Sequence, residues 1–137
     1  MGEQLELLVD SDAFVGRFYP DDVHHKKVKS IFAKIEKQKK RVVTTSLVIT
    51  ETATVLSHKS GQDASRKFLV TIEKTKLPII HINELLHRET VAFFKKQEKK
   101  GTSVVDCANV VVMRRFQIPT IFSSDGFYSK QSDIKTI

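Results

Sequence analysis

The chain has 137 residues, of which 40% are hydrophobic and 28% charged; this excludes wholesale disorder and fits one domain spanning 1–137. The formal net charge is +7, which suits a polyanionic partner without naming one. Cys107 is the single cysteine, no apolar run reaches membrane-span length, and Glu3, Glu6, Asp10 and Asp12 break any signal-peptide core, so a cytoplasmic protein is expected.

Leu5 to Val9 is a short apolar run closed by Asp10 and reads as a buried strand. Asp12 to Phe18 suits a short helix. Pro20-Asp21-Asp22 reads as the start of a longer one, running to about Gln38 with Val28, Ile31, Phe32 and Ile35 on one face. Arg41 to Thr45 is a second strand, and Ser46 is placed to cap a helix ending near His58. Gly61 interrupts before a helix over Asp63 to Lys74. Leu77 to Ile82 is a third strand. Asn83 caps a helix to about Lys99, stopped by Gly101. Ser103 to about Phe116 is a strongly apolar helix. Pro119 to Phe122 is a fourth strand, Ser124 to Tyr128 a turn or short helix, and Ile134 to Ile137 an edge strand. Strands alternating with helices predict an α/β fold: a three-layer α/β/α domain with a central, mostly parallel sheet of four to five strands. Ligands of such sheets bind outside the carboxyl ends of the strands, which marks Asp10 and Asp125.

Four acids stand out, each with an ordinary alternative. Asp10 ends a strand, where loop-starting Asp is frequent. Glu51 has Leu47, Val48 and Val55 one turn away, on the inward stripe of its helix, although its tip could still reach water. Asp106 fits a capping box with Ser103, yet it shares a face with Asn109 on a helix that is otherwise apolar up to its basic end. Asp125 with Gly126 makes an ordinary Asp-Gly turn. Taken together they form one site. Clustered carboxylates repel and raise one another's pKa, and a hard divalent cation with oxygen ligands removes that cost. One cysteine and scattered histidines offer no zinc pattern, and the adjacent His24 and His25 read as surface residues. Basic residues cluster at Lys34, Lys37, Lys39, Lys40 and Arg41, and at Lys95, Lys96, Lys99 and Lys100. They are solvated helix ends that could also touch the phosphates of a polyanion such as RNA.

These segments resemble the PIN domain family, especially its short VapC-type toxins, over essentially the whole chain. Leu7-Leu8-Val9-Asp10-Ser11-Asp12-Ala13-Phe14 is similar to the family's first motif. Thr45 to Glu51 resembles the second, Ser103 to Ala108 the third, and Ile118 to Asp125 the last. The resemblance implies a magnesium- or manganese-dependent endoribonuclease with Asp10, Glu51, Asp106 and Asp125 as catalytic metal ligands. It also implies a homodimer neutralised by an antitoxin. Ser11, Asn109 and Ser123 are the candidates for holding those carboxylates by hydrogen bond, and Asp12 is an extra acid that either joins the cluster or caps the next helix. Asp12 stands where Ser or Asn is more usual, and Cys107 where a small residue such as Ala is common. Asp10-Ser11-Asp12 also matches the signature of a haloacid-dehalogenase-like phosphatase with Asp10 as nucleophile, although Phe14 departs from that pattern. A non-catalytic basic RNA- or partner-binding module is the remaining alternative.

Overall fold

The computed structural model describes residues 4–137. Its central strand, β1 (Leu7–Val9), is buried at every position. Leu7 and Val9 face one helical layer and Leu8 the other, as strand alternation requires. Beside β1 lie β2 (Val42–Thr45) and β4 (Thr120–Phe122). Outside them lie β3 (Ile79–Ile80), next to β2, and β5 (Lys135–Thr136), next to β4. All four pairings are parallel, with Leu8 in register with Val43 on one side and Ile121 on the other. The expected three-layer architecture is therefore present, with five strands.

One face of the sheet is covered by α1 (Ser11–Phe18), α2 (His25–Lys37), α3 (Ser46–Ser60) and α4 (Gln62–Thr75). Phe14, Ile35, Leu56 and Phe68 join Leu7 and Val9 in that core. Gly16 allows α1 to approach α2 closely, since a Cβ there would come within 2.8 Å of Val28 Cγ2. The other face is covered by α5 (Glu84–Lys95), α6 (Val104–Phe116) and the short α7 (Gly126–Ser129). Leu86, Val110, Met113 and Tyr128 pack there against Leu8 and Val43.

The chain lays β2 and β3 outward on one side of β1, then crosses back to lay β4 and β5 on the other. Strand order thus reverses between β1 and β4, and the carboxyl ends of these two strands flank the crevice where α/β sheets hold ligands. Asp10 and Asp125 follow those strands.

Several local expectations are corrected. The cap of α3 is Thr45, not Ser46: Thr45 keeps an extended backbone and its hydroxyl accepts from Val48 N at 3.2 Å. Ser46 is already helical, and its hydroxyl accepts from Ile82 N instead. Helix α2 starts at His25 rather than near Pro20, because Asp22 is used in a turn that accepts His24 N. Helix α5 ends at Lys95 rather than Lys99, and Lys96 and Gln97 close its last turn. His25 is half-buried rather than a plain surface residue, with its Nδ1 2.7 Å from Gly16 O. No described helix is long and apolar enough to cross a membrane.

Candidate active site

Asp10 stands where β1 stops. Its N–H still pairs with Phe122 O of β4, and its extended backbone makes it the cap of α1. The side chain turns inward and is 3% exposed. Oδ1 accepts from Ser11 N (2.8 Å) and Asn109 Nδ2 (3.1 Å), and Oδ2 from Ser123 Oγ (2.9 Å). These donors are neutral. Burial, aided by the charge of Asp12, pushes the Asp10 carboxyl up to about 6.

Asp106 lies in the first turn of α6, one turn before Asn109. Ser103 caps the helix, accepting from Val105 N and Asp106 N. The Asp106 carboxylate does not complete the expected capping box, because Oδ1 instead accepts the Tyr128 hydroxyl proton at 2.9 Å. The same hydroxyl accepts from Asn109 Nδ2 at 2.9 Å. Thr45 Oγ1 donates to Asn109 Oδ1 at 3.4 Å. A directed chain of hydrogen bonds therefore runs from Thr45 through Asn109 and Tyr128 to Asp106, with a branch from Asn109 to Asp10. Burial pushes Asp106 up to about 7; the Tyr128 hydrogen bond opposes this, and the charges of Asp10 and Asp125 add to it.

Glu51 lies in the second turn of α3, half-buried, and its Oε2 accepts from Ser11 Oγ at 2.6 Å. Asp125 follows β4, exposed, with Oδ1 capping α7 through Phe127 N. Asp12 Oδ2 accepts from Ser124 N (2.8 Å) and Ser124 Oγ (2.6 Å), binding α1 to the segment after β4. Its Oδ1 is buried and finds no donor among the described residues. Ser11, Asp12, Glu51 and Asp125 line an open cleft of about 570 Å3 whose walls also carry Lys27 and Lys59.

The four acids thus sit in one linked region, Asp10 and Asp106 through Tyr128 and Asn109, Asp106 to Asp125 electrostatically, and Glu51 through Ser11. Among the described residues, no three His, Cys, Asp or Glu side chains already surround one point closely enough to hold an ion. The donor set nonetheless matches a hard divalent cation: carboxylate oxygens only, two of them held against their preference for charge, and one orphaned buried oxygen on Asp12. Cys107 is fully buried, with burial raising its thiol pKa, and packs as a small hydrophobe.

One feature escapes the sequence reading, and one expectation is corrected. Tyr128 appeared only as the end of a turn, although a buried tyrosine has to find a partner for its hydroxyl. The Lys34–Arg41 cluster leads into β2, where Arg41 O accepts from Glu6 N ahead of β1. That is the amino end of the sheet, opposite the acids, so this cluster does not border the site.

A PIN domain family model matches residues 7–131. The chain belongs to the PIN domain family. The structure of this PIN domain is similar to VapC20 of Mycobacterium tuberculosis, described as a sarcin-ricin loop cleaving toxin. The TM-score is 0.83 at 21% identity, covering 95% of this chain and 98% of that one. It is also similar to VapBC2 from Rickettsia felis bound to a promoter DNA fragment (TM-score 0.70, 12% identity, 97% and 98% coverage). A third likeness is DNA-bound VapBC from Salmonella typhimurium (TM-score 0.67, 12% identity, 98% of both chains). At these identities the likeness carries the fold of the PIN domain. No curated protein sequence matches the chain.

Proposed function

We propose that this PIN domain is a divalent-metal-dependent endoribonuclease, the toxin of a toxin–antitoxin pair. The observation that carries the reading is the joint state of Asp10 and Asp106. Asp10 is buried and Asp106 half-buried, the two are joined through Asn109 and Tyr128 by donors that are uncharged, and burial pushes both toward neutral pH, to about 6 and about 7. Such an arrangement is costly for a folded chain unless a cation compensates it.

Asp10, Asp106 and Asp125 would hold magnesium or manganese, with Glu51 as a further ligand or as the group that orients water. When bound, the cation would supply the charge that makes an attacking water more acidic and offsets that of the phosphoryl oxygens of a scissile phosphodiester. Glu51, fixed by Ser11, faces the cleft and can accept the proton from that water. Asp10 is held by three neutral donors and keeps its oxygens in place without neutralising them. Lys27 and Lys59 on the cleft walls would contact RNA phosphates without reading bases. The sarcin-ricin loop cleaving toxin among the structural neighbours supports RNA as substrate, and the VapBC neighbours support an antitoxin partner. A homodimer and a cytoplasmic location belong to the same proposal. Membership of the PIN family displaces the haloacid-dehalogenase-like alternative.

The test is cleavage of a mixed RNA by the purified chain with Mg2+, with Mn2+ and with EDTA, beside Asp10→Asn. Cleavage should need the cation and vanish in the variant. RNA that is bound but never cut would favour the non-catalytic module, and cleavage surviving in Asp10→Asn would defeat the assignment.

A further inference from the structure

We propose that Tyr128 is a positioning residue: its hydroxyl, donated to Asp106 and supported by Asn109, holds the Asp106 carboxylate in register with Asp10 for a divalent cation. This inference rests on reading the acids as a metal centre. Tyr128 is fully buried, and its ring is clamped by an edge contact with Phe127 (centroids 5.6 Å apart). A phenylalanine would fill the same space, so the hydroxyl is what the position adds. That hydroxyl sits 2.9 Å from Asp106 Oδ1 and 2.9 Å from Asn109 Nδ2, and Asn109 Nδ2 is 3.1 Å from Asp10 Oδ1. Both amide protons of Asn109 are given away, one to Asp10 and one to the phenol, so the single phenol proton goes to Asp106.

A carboxylate turns easily about its last torsion, which has broad wells. A donor rooted in the core removes that freedom for Asp106, and the shared Asn109 makes the setting of Asp106 depend on that of Asp10. The tether also reaches the other two acids. Thr45, at its far end, caps the helix that carries Glu51, and Asp125 caps the single turn that carries Tyr128.

The experiment compares wild type with Tyr128→Phe, measuring Mn2+ binding by the electron paramagnetic resonance of free Mn2+, RNA turnover against metal and RNA concentration, and Tm without metal. Tyr128→Phe should stay folded, bind Mn2+ about ten- to a hundredfold more weakly, and lose kcat at fixed sub-saturating metal while KM for RNA holds. If Tyr128→Phe fails to fold, 3-fluorotyrosine placed at position 128, which keeps the ring and alters only the strength of the hydroxyl as a donor, decides the matter: a changed Mn2+ affinity supports the role and an unchanged one overturns it. Wild-type Mn2+ affinity in a folded variant overturns the role of Tyr128 and leaves the metal centre standing. A wild-type chain that binds no Mn2+ overturns the metal centre itself.

Discussion

Ser11 Oγ donates to Glu51 Oε2 across 2.6 Å, joining the first residue of α1 to the second turn of α3. The Ser11 backbone N–H at the same time donates to Asp10 Oδ1 at 2.8 Å. One residue therefore sets two of the four acids, one by its backbone and one by its side chain. Only the second link is open to mutation. Ser11→Ala should leave Asp10 in place, free Glu51 to swing in the cleft, and lower kcat about tenfold while costing no more than about 1–2 kcal/mol of stability. Single-turnover cleavage together with thermal melting checks this. Unchanged kcat would mean that Glu51 needs no support from Ser11.

The raised carboxyls make stability depend on pH in a defined direction. Asp10 and Asp106 go from an ordinary 3.8 to about 6 and about 7 on folding, so the folded chain binds more protons than the unfolded one between about 4 and 7. The stabilisation is fully present below that window and is lost as pH rises through it. Without divalent cation, Tm should fall from pH 5 to pH 8. Mn2+ should restore it most at the alkaline end, where the ligands are ionised, with proton release on binding. Asp10→Asn, which removes the buried charge, should flatten the metal-free profile and raise Tm at pH 8. A Tm that rises toward pH 8 without metal would contradict the pKa assignment.

Two cationic surfaces make opposite forecasts. Lys27 and Lys59 stand on the cleft that Glu51 and Asp125 line, whereas Lys34 and Lys37 end α2 beside the amino edge of the sheet. Reversing Lys27 and Lys59 to Glu should raise KM for RNA about tenfold or more and flatten its salt dependence by about one unit of slope per lost phosphate contact, with kcat changed little. Reversing Lys34 and Lys37 should do much less. Equal effects from the two pairs would place the RNA path elsewhere.

How far the sequence could be read follows from which forces act locally. Strands and helices were legible because their apolar spacing is a local property, and Leu7, Leu8 and Val9 alternate between the two cores as their pattern requires. Asp10 and Asp125 could be picked out because the carboxyl ends of parallel strands are marked by fold class alone. Tyr128 could not, since its importance arises only when α7 folds back beneath α6 and brings its hydroxyl to Asp106. Ser103 caps α6 as its spacing predicts, but the phenol competes for the Asp106 carboxylate that would complete the capping box. The shift of the α3 cap to Thr45 reflects tertiary demand on Ser46, whose hydroxyl is used by Ile82 N. The position of the Lys34–Arg41 cluster depends on strand direction, which charge patterning does not contain.

The most direct test is a crystal structure of the chain soaked in Mn2+, with data collected at the manganese absorption edge. An anomalous peak in contact with the Asp10 and Asp106 carboxylates is the predicted result. A fully folded crystal with no peak there, or with its only peak on another surface while the protein still degrades RNA, would contradict the account.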